Sequence, residues 1–232
     1  MLFRSLPHAK SSGDPGPFTA WGVFRGIQAT LLYLFGSDSL AERTIAVQGL
    51  GNVGLPLTEF LFWHGANLIL SDTDSEKLKT IAAKYGARTL PPDQIWRAEC
   101  DVFAPCALGG ILNDATIPQL RCKAIAGSTN NQLLRSDHAR QLLDRKIVYA
   151  PDFVINAGGL LNVSAELEER GYHPAFSRQK VDSIYNTLTA IYEIARKGAE
   201  TTDAAAISLA EYRIKYGIGK RVAPPTFHPN LD

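Results

Sequence analysis

The 232-residue chain has little cysteine: three residues, at positions 100, 106 and 122. Their number is odd, they sit in apolar runs and no C-x-x-C occurs, so neither a disulfide framework nor a zinc site fits. They read as reduced core thiols of a cytoplasmic protein. Histidine is scarce as well. The five at 8, 64, 138, 173 and 228 form no pair at i, i+3 or i, i+4, which argues against a metal site. Neither sign of charge is in excess, with 24 basic and 23 acidic residues for a formal net charge of +1. Such a chain cannot hold a phosphate backbone by counterion release, so no nucleic-acid partner is expected. No apolar run approaches the roughly 18–20 residues that span a bilayer, so no membrane partner is expected either. The first ten residues, broken by Arg4, Pro7 and His8, lack the apolar stretch of a signal peptide. There is no internal repeat and no low-complexity block.

What is present is an ordinary globular composition: 45% hydrophobic, 20% charged, 19 Gly and 13 Pro. Asp14-Pro15 marks a helix start, an N-cap acceptor followed by a proline pre-set for the first turn. Ala20, Phe24, Ile27, Leu31 and Leu34 then step by four or three along one helical face, and Gly36 ends the helix. Thr44 to Gln48 is a short β-branched run, read as a buried strand. From there the pattern alternates. Helical signals cover 53–64, 74–85, the neighbourhood of 114–120, and 137–144; strand signals cover 67–71, 101–104, 123–126, 147–149 and 153–156. The remainder is helical over about 158–170, 177–197 and 202–216, ahead of a proline-containing tail. Strands alternating with helices in short units predict an α/β fold, a doubly wound, mostly parallel sheet with helices on both faces.

Gly49-Leu50-Gly51-Asn52-Val53-Gly54 is a G-x-G-x-x-G that follows the first strand directly and opens a helix. The next strand, Asn67 to Ser71, ends at Asp72, 23 residues after Gly49. In a Rossmann-type fold Gly49 permits the tight turn, Gly51 lets backbone approach a pyrophosphate, and Gly54 lets helix and strand pack closely. The helix N-terminus offers N–H groups to the phosphates, and Asp72 accepts from the adenosine ribose hydroxyls. Asp72-Thr73-Asp74 repels a 2′-phosphate, and no Arg follows immediately to receive one, so NAD is favoured over NADP. Pro56 sits early in the following helix, where a missing N–H costs least.

Five stretches in order carry a family resemblance: Gly13 to Ala20, Val47 to Gly54, Cys100 to Gly109, Ala126 to Leu133 and Tyr149 to Gly159. On these the chain resembles the cofactor-binding half of the glutamate/leucine/phenylalanine/valine dehydrogenases, most of all the leucine, valine and phenylalanine branch. The resemblance implies an NAD-binding domain over 15–216, framed by helices at 15–36 and 158–216. A linker remnant would cover 1–14 and an irregular tail 217–232. It places Thr19 near the nicotinamide amide, and Ala104, Ala107 and Ala126 in loops at the carboxyl ends of strands. Asn131 and Asn156 would hydrogen-bond the nicotinamide end or the amino-acid substrate. Read from its residues alone, Asn156-Ala157-Gly158-Gly159 is only a turn. Val181 and Ile184, one helical step apart, would be the apolar wall of a substrate side-chain pocket, or else ordinary core.

The family's chemistry uses a lysine pair and an acid from a preceding substrate domain. No catalytic residue is assigned in the present sequence, and Lys10, in the linker region, is not promoted to that role. Three functional readings follow. The first is NAD-dependent oxidative deamination of a branched-chain or aromatic L-amino acid to its 2-oxo acid, the substrate domain coming from a separate chain or an upstream extension. The second is a stand-alone, non-catalytic NAD-binding module. The third is another small Rossmann oxidoreductase.

Overall fold

The computed structural model describes residues 12–168 and 171–219. In chain order it contains α1 (Gly16–Phe35), β1 (Thr44–Gln48), α2 (Gly54–Trp63), β2 (Asn67–Ser71), α3 (Ser75–Tyr85), β3 (Arg88–Thr89), β4 (Cys100–Pro105) and β5 (Cys122–Ile125). Then come α4 (His138–Asp144), β6 (Val148–Tyr149), α5 (Asp152–Ile155), α6 (Gly158–Ser164), α7 (Pro174–Gly198) and α8 (Thr202–Lys215). Short 3-10 turns occur at Ile95–Arg97, Ile117–Gln119 and Ala165–Leu167. None of the described helices is long and apolar enough to cross a membrane.

All six strands are parallel, in the order β3-β2-β1-β4-β5-β6. This is the Rossmann-like arrangement that the strand–helix alternation implied. The chain reaches one edge at β3 and then returns to lay β4 beside β1. The loops after β1 and β4 therefore diverge at the point where such a sheet binds ligands.

Side chains alternate along each strand and so build two cores. Ile45, Val47, Leu70, Val102, Ala104 and Ala124 join α1, α2, α7 and α8 in one; Ala46, Ile69, Phe103 and Ile125 join Ile95, Ile117 and Leu142 in the other. The coverage is unequal. Long helices cover the first face, whereas 3-10 turns and the short α4 cover the second.

Helix α1 shows how sequence becomes packing. Its Phe24, Ile27 and Leu31 are buried in the core, Phe24 beside Phe60 of α2, while another face of the helix packs on α7. Each enclosed aliphatic side chain contributes roughly 1.5–3 kcal/mol. Gly22 and Gly26 open that face for close approach: a Cβ at Gly22 would lie 2.8 Å from Ile184 Cδ1, and one at Gly26 2.5 Å from Ile155 Cγ1. Thr30 Oγ1 lies 2.7 Å from the Tyr192 hydroxyl, which satisfies both buried groups. Gly36 closes the helix in the left-handed region, at φ 71°.

Several elements differ from the sequence expectation. The 153–156 strand is instead the single-turn helix α5. Ile155 seats in the space left by Gly26, and the N–H groups of Val154 and Ile155 both bond to the Pro151 carbonyl. Tertiary packing thus overrides the β-propensity of Phe153-Val154-Ile155. The helix expected near 114–120 is a 3-10 turn. There Pro118 lacks an N–H, and Asn113 Oδ1 accepts from the backbones of Ala115 and Thr116. β3, two exposed residues, has no periodicity to detect. Pro15 rather than Asp14 takes the N-cap position of α1, while Asp14 Oδ1 accepts from Gly16 N–H at 2.9 Å. Lys10, most of the 1–14 segment, 169–170 and the tail beyond 219 lie outside the described residues.

Candidate functional site

The residues singled out in the glycine motif meet at the carboxyl edge of β1. Gly49 donates its N–H to Ser71 O at 2.7 Å and adopts φ 90°, a conformation that L side chains rarely take. A Cβ at Gly54 would lie 1.8 Å from Gly49 O, so α2 starts hard against the strand end. At Gly51, by contrast, an added Cβ would meet nothing within 4 Å. Asn52 is exposed, Val53 is half-buried, and no side chain caps the first turn of α2. The positive end of the α2 dipole therefore faces open space beside Gly51, an arrangement suited to an anion.

Asp72 follows β2 directly and closes this turn. Its Oδ2 accepts from Leu50 N–H at 2.6 Å, its Oδ1 accepts from Asp74 N–H at 2.9 Å, and Lys77 Nζ stands 3.4 Å from Oδ2. Burial opposes the charged form, but the N–H groups of Asp74 and Leu50, together with Lys77, outweigh it and hold the carboxyl below the usual range. Asp74 serves α3 instead, capping that helix through Oδ1, which accepts from Lys77 N–H.

The other expected positions occupy the same edge. Ala104 and Ala126 are fully buried at the ends of β4 and β5, whereas Ala107 and Asn131 are exposed in the loops beyond. These loops are zipped together by Gly110 N–H to Asn131 O at 2.7 Å and Leu112 N–H to Gln132 O at 2.9 Å. Asn131 itself sits at φ 52°. Asn156 reaches the same loop, donating to Ser128 O and Asn130 Oδ1. Thr19 Oγ1 donates to Pro15 O, and a Cβ at Gly159 would come within 2.7 Å of that hydroxyl. One at Gly158 would lie 2.3 Å from Phe18 O. The double glycine thus lets α6 press against the start of α1: Asn156 and Ala157 form the turn that the sequence suggested, and Gly158 and Gly159 begin α6.

With this geometry in view, comparison with known proteins is decisive. The glutamate/leucine/phenylalanine/valine dehydrogenase family model matches residues 66–215. The chain belongs to this family. Among relatives, the leucine dehydrogenase of Thermoactinomyces intermedius is 46% identical over 209 residues, covering 90% of this chain and 57% of that protein. The L-tryptophan dehydrogenase of Nostoc punctiforme is 45% identical over 207 residues, covering 89% and 58%. The crystal structure of the Nostoc punctiforme enzyme superposes with a TM-score of 0.85, covering 88% of this chain and 62% of that one. The hetero-hexameric glutamate dehydrogenase of Thermus thermophilus shares the fold, with a TM-score of 0.71 at 22% identity, covering 94% of this chain and 57% of that one. The chain spans a little over half the length of the curated relatives it matches.

Within this dehydrogenase-family fold, Val181 and Ile184 stand apart from the edge. They are 0% and 3% exposed, packed on Gly22 and next to Gly158, because the bare α1 surface draws them inward. Both belong to the buried core. A cavity of about 480 Å³ lies elsewhere, between Tyr33, Tyr149 and the α7–α8 corner, and touches none of the residues assigned a cofactor or substrate role from sequence.

The structure also adds residues that sequence reasoning passed over. Gln48 Oε1, Ser71 Oγ and Thr129 Oγ1 are buried without a protein partner, at the ends of β1 and β2 and in the loop after β5. A polar residue closing an otherwise apolar strand was the available signal for Gln48 and Ser71. Lys77 gave none, since one lysine on an exposed helix looks like any other.

Proposed function

We propose that this chain is the cofactor-binding half of an NAD-dependent amino-acid dehydrogenase. Its reaction would be the oxidative deamination of a branched-chain or aromatic L-amino acid to the 2-oxo acid, and the reverse. The observation that carries this reading is Asp72, a carboxylate held ionised at the end of β2 against the Gly49–Gly54 turn. The residues present fit a dinucleotide. The space beyond Gly51 admits a pyrophosphate, Asp72 retains lone pairs for ribose hydroxyls, and the unpartnered Ser71 and Gln48 oxygens lie at the same edge. When bound, NAD would supply the redox chemistry by taking hydride from the substrate α-carbon at its nicotinamide ring.

The chain's own residues orient and enclose. Gly49, Leu50, Gly51, Asn52, Val53 and Gly54 receive the pyrophosphate on backbone, and Asp72 fixes the adenosine ribose. Ala104, Ala107 and Ala126 shape the floor, and Thr19 and Asn131 flank the nicotinamide. Asn156, steered by Asn130, presents its amide to the nicotinamide or the substrate. Val181 and Ile184 act from beneath, setting the approach of Gly22 and Gly158. The substrate class follows the names of the relatives, which are leucine, tryptophan and phenylalanine dehydrogenases.

Calorimetry on the 232-residue chain tests the reading. NAD(H) should bind and be preferred to NADP(H). Absence of binding to folded protein, or equal binding of both, rejects it.

A further inference from the structure

The ribose 2′ position separates the two nicotinamide dinucleotides, a hydroxyl in one and a phosphate in the other. The stretch Asp72-Thr73-Asp74-Ser75-Glu76-Lys77 holds three carboxylates and one cation, Lys77. Two of the three groups touching Asp72 are backbone N–H groups of Leu50 and Asp74, fixed by the fold. The third is the Lys77 ammonium, on a flexible stem, with its side chain 37% exposed against 9% for Asp72. Its 3.4 Å contact is longer than the other two, at 2.6 and 2.9 Å. Asp74 caps α3 by accepting from Lys77 N–H, while the Lys77 ammonium is paired with Asp72. The same α3 directs its N-terminal dipole toward this corner.

We propose that Lys77, paired with Asp72, is a latent 2′-phosphate contact at the adenosine end of the cofactor. Paired, it braces the carboxylate for an unphosphorylated ribose; released from Asp72, it receives a 2′-phosphate. Exclusion of NADP then rests on one carboxylate, and the cation needed to bind NADP is already in place. This rests on the dinucleotide reading above.

The test is calorimetric titration of NAD and NADP into the full chain as wild type, Asp72→Ser, Lys77→Met and the double variant, with melting temperatures to verify folding. Lys77→Met should keep the preference for NAD, its NAD affinity falling by less than about fivefold, as for a partly exposed ion pair. Asp72→Ser should gain about tenfold or more in NADP affinity, from a charge-assisted contact, and the gain should shrink as salt is raised. The double variant should lose that gain. Adenosine 2′,5′-bisphosphate, which lacks nicotinamide, should follow the same order. A gain in NADP affinity that survives in the double variant overturns the role of Lys77, as does absence of any gain in Asp72→Ser while wild type binds NAD. Folded wild type that binds neither dinucleotide overturns the underlying functional reading as well.

Discussion

At Asp72 a nearly enclosed carboxylate stays ionised, because two backbone N–H groups and an ammonium surround it. With the proposed charge-assisted bonds to ribose, Asp72→Ala has an expected loss of about 1.5–3 kcal/mol in NAD binding by calorimetry. The Leu50 N–H bond to the same carboxylate ties β2 to the glycine turn, so stability depends on pH in a definite direction. The native pKa is depressed, so the contribution is complete above the unfolded value near 3.9 and is lost as pH falls through the native one. Urea titrations of wild type and Asp72→Asn should therefore differ at pH 7 and converge below about pH 4. The glycines divide in the same way. Gly51→Val places its side chain in open space, so NAD affinity should collapse while the melting temperature barely moves. Gly54→Val drives a Cβ to within 1.8 Å of the Gly49 carbonyl and should lower the melting temperature sharply. If Gly51→Val unfolds, that position is structural and its assigned role is wrong.

At the scale of elements, α1 acts as a spacer between the sheet and the C-terminal helices. Gly22 and Gly26 sit one turn apart, and Ile184, Leu188 and Ile155 fill the hollows they leave. This contact holds α5 as a helix, and α5 in turn brings Asn156 to Ser128 and Asn130. Gly26→Leu would force its side chain into Ile155 and Leu188, with an expected loss of about 1–3 kcal/mol in urea unfolding. NAD affinity should fall less than in Asp72→Ala, since Gly26 faces Ile155 and Leu188 and not the glycine turn. An unchanged urea midpoint would mean that the α1–α7 seam relaxes without cost.

At the scale of the whole molecule, the parallel sheet brings the loops that follow its strands to one edge, and the residues proposed to hold the dinucleotide come from most of them. The 232 residues hold the proposed cofactor edge, whereas the family resemblance attaches catalysis to a lysine-bearing stretch of a preceding substrate domain. Loss of one positioned general acid–base costs about 10²–10⁴-fold, and orientation and water exclusion add to it. The 232-residue chain alone should therefore produce no NADH from Leu, Val, Ile or Phe in a spectrophotometric assay, even where calorimetry shows NAD bound. Appearance of activity on adding a lysine-bearing substrate domain would support two halves of one enzyme. Substantial turnover without it would assign the base to residues within this chain.

Local signals in the sequence determined most of the framework. β1 and β2 lie where their β-branched, apolar runs ended, α1 stops at Gly36, and the G-x-G-x-x-G with Asp72 identifies the ligand edge. Such features depend on residues within a few positions of one another, so backbone propensity and periodicity suffice. Contacts between distant residues were not legible in that way. Phe153-Val154-Ile155 reads as a strand, and only the hollow at Gly26 makes it a helical turn. Val181 and Ile184 carry the same apolar spacing whether they line a pocket or a core, and Gly22 decides for the core. Lys77 acquires its meaning from a 3.4 Å approach to Asp72 across the start of α3. The sequence determines which groups are available, and the tertiary structure decides which of them meet, because burial and pairing depend on neighbours that chain order does not specify.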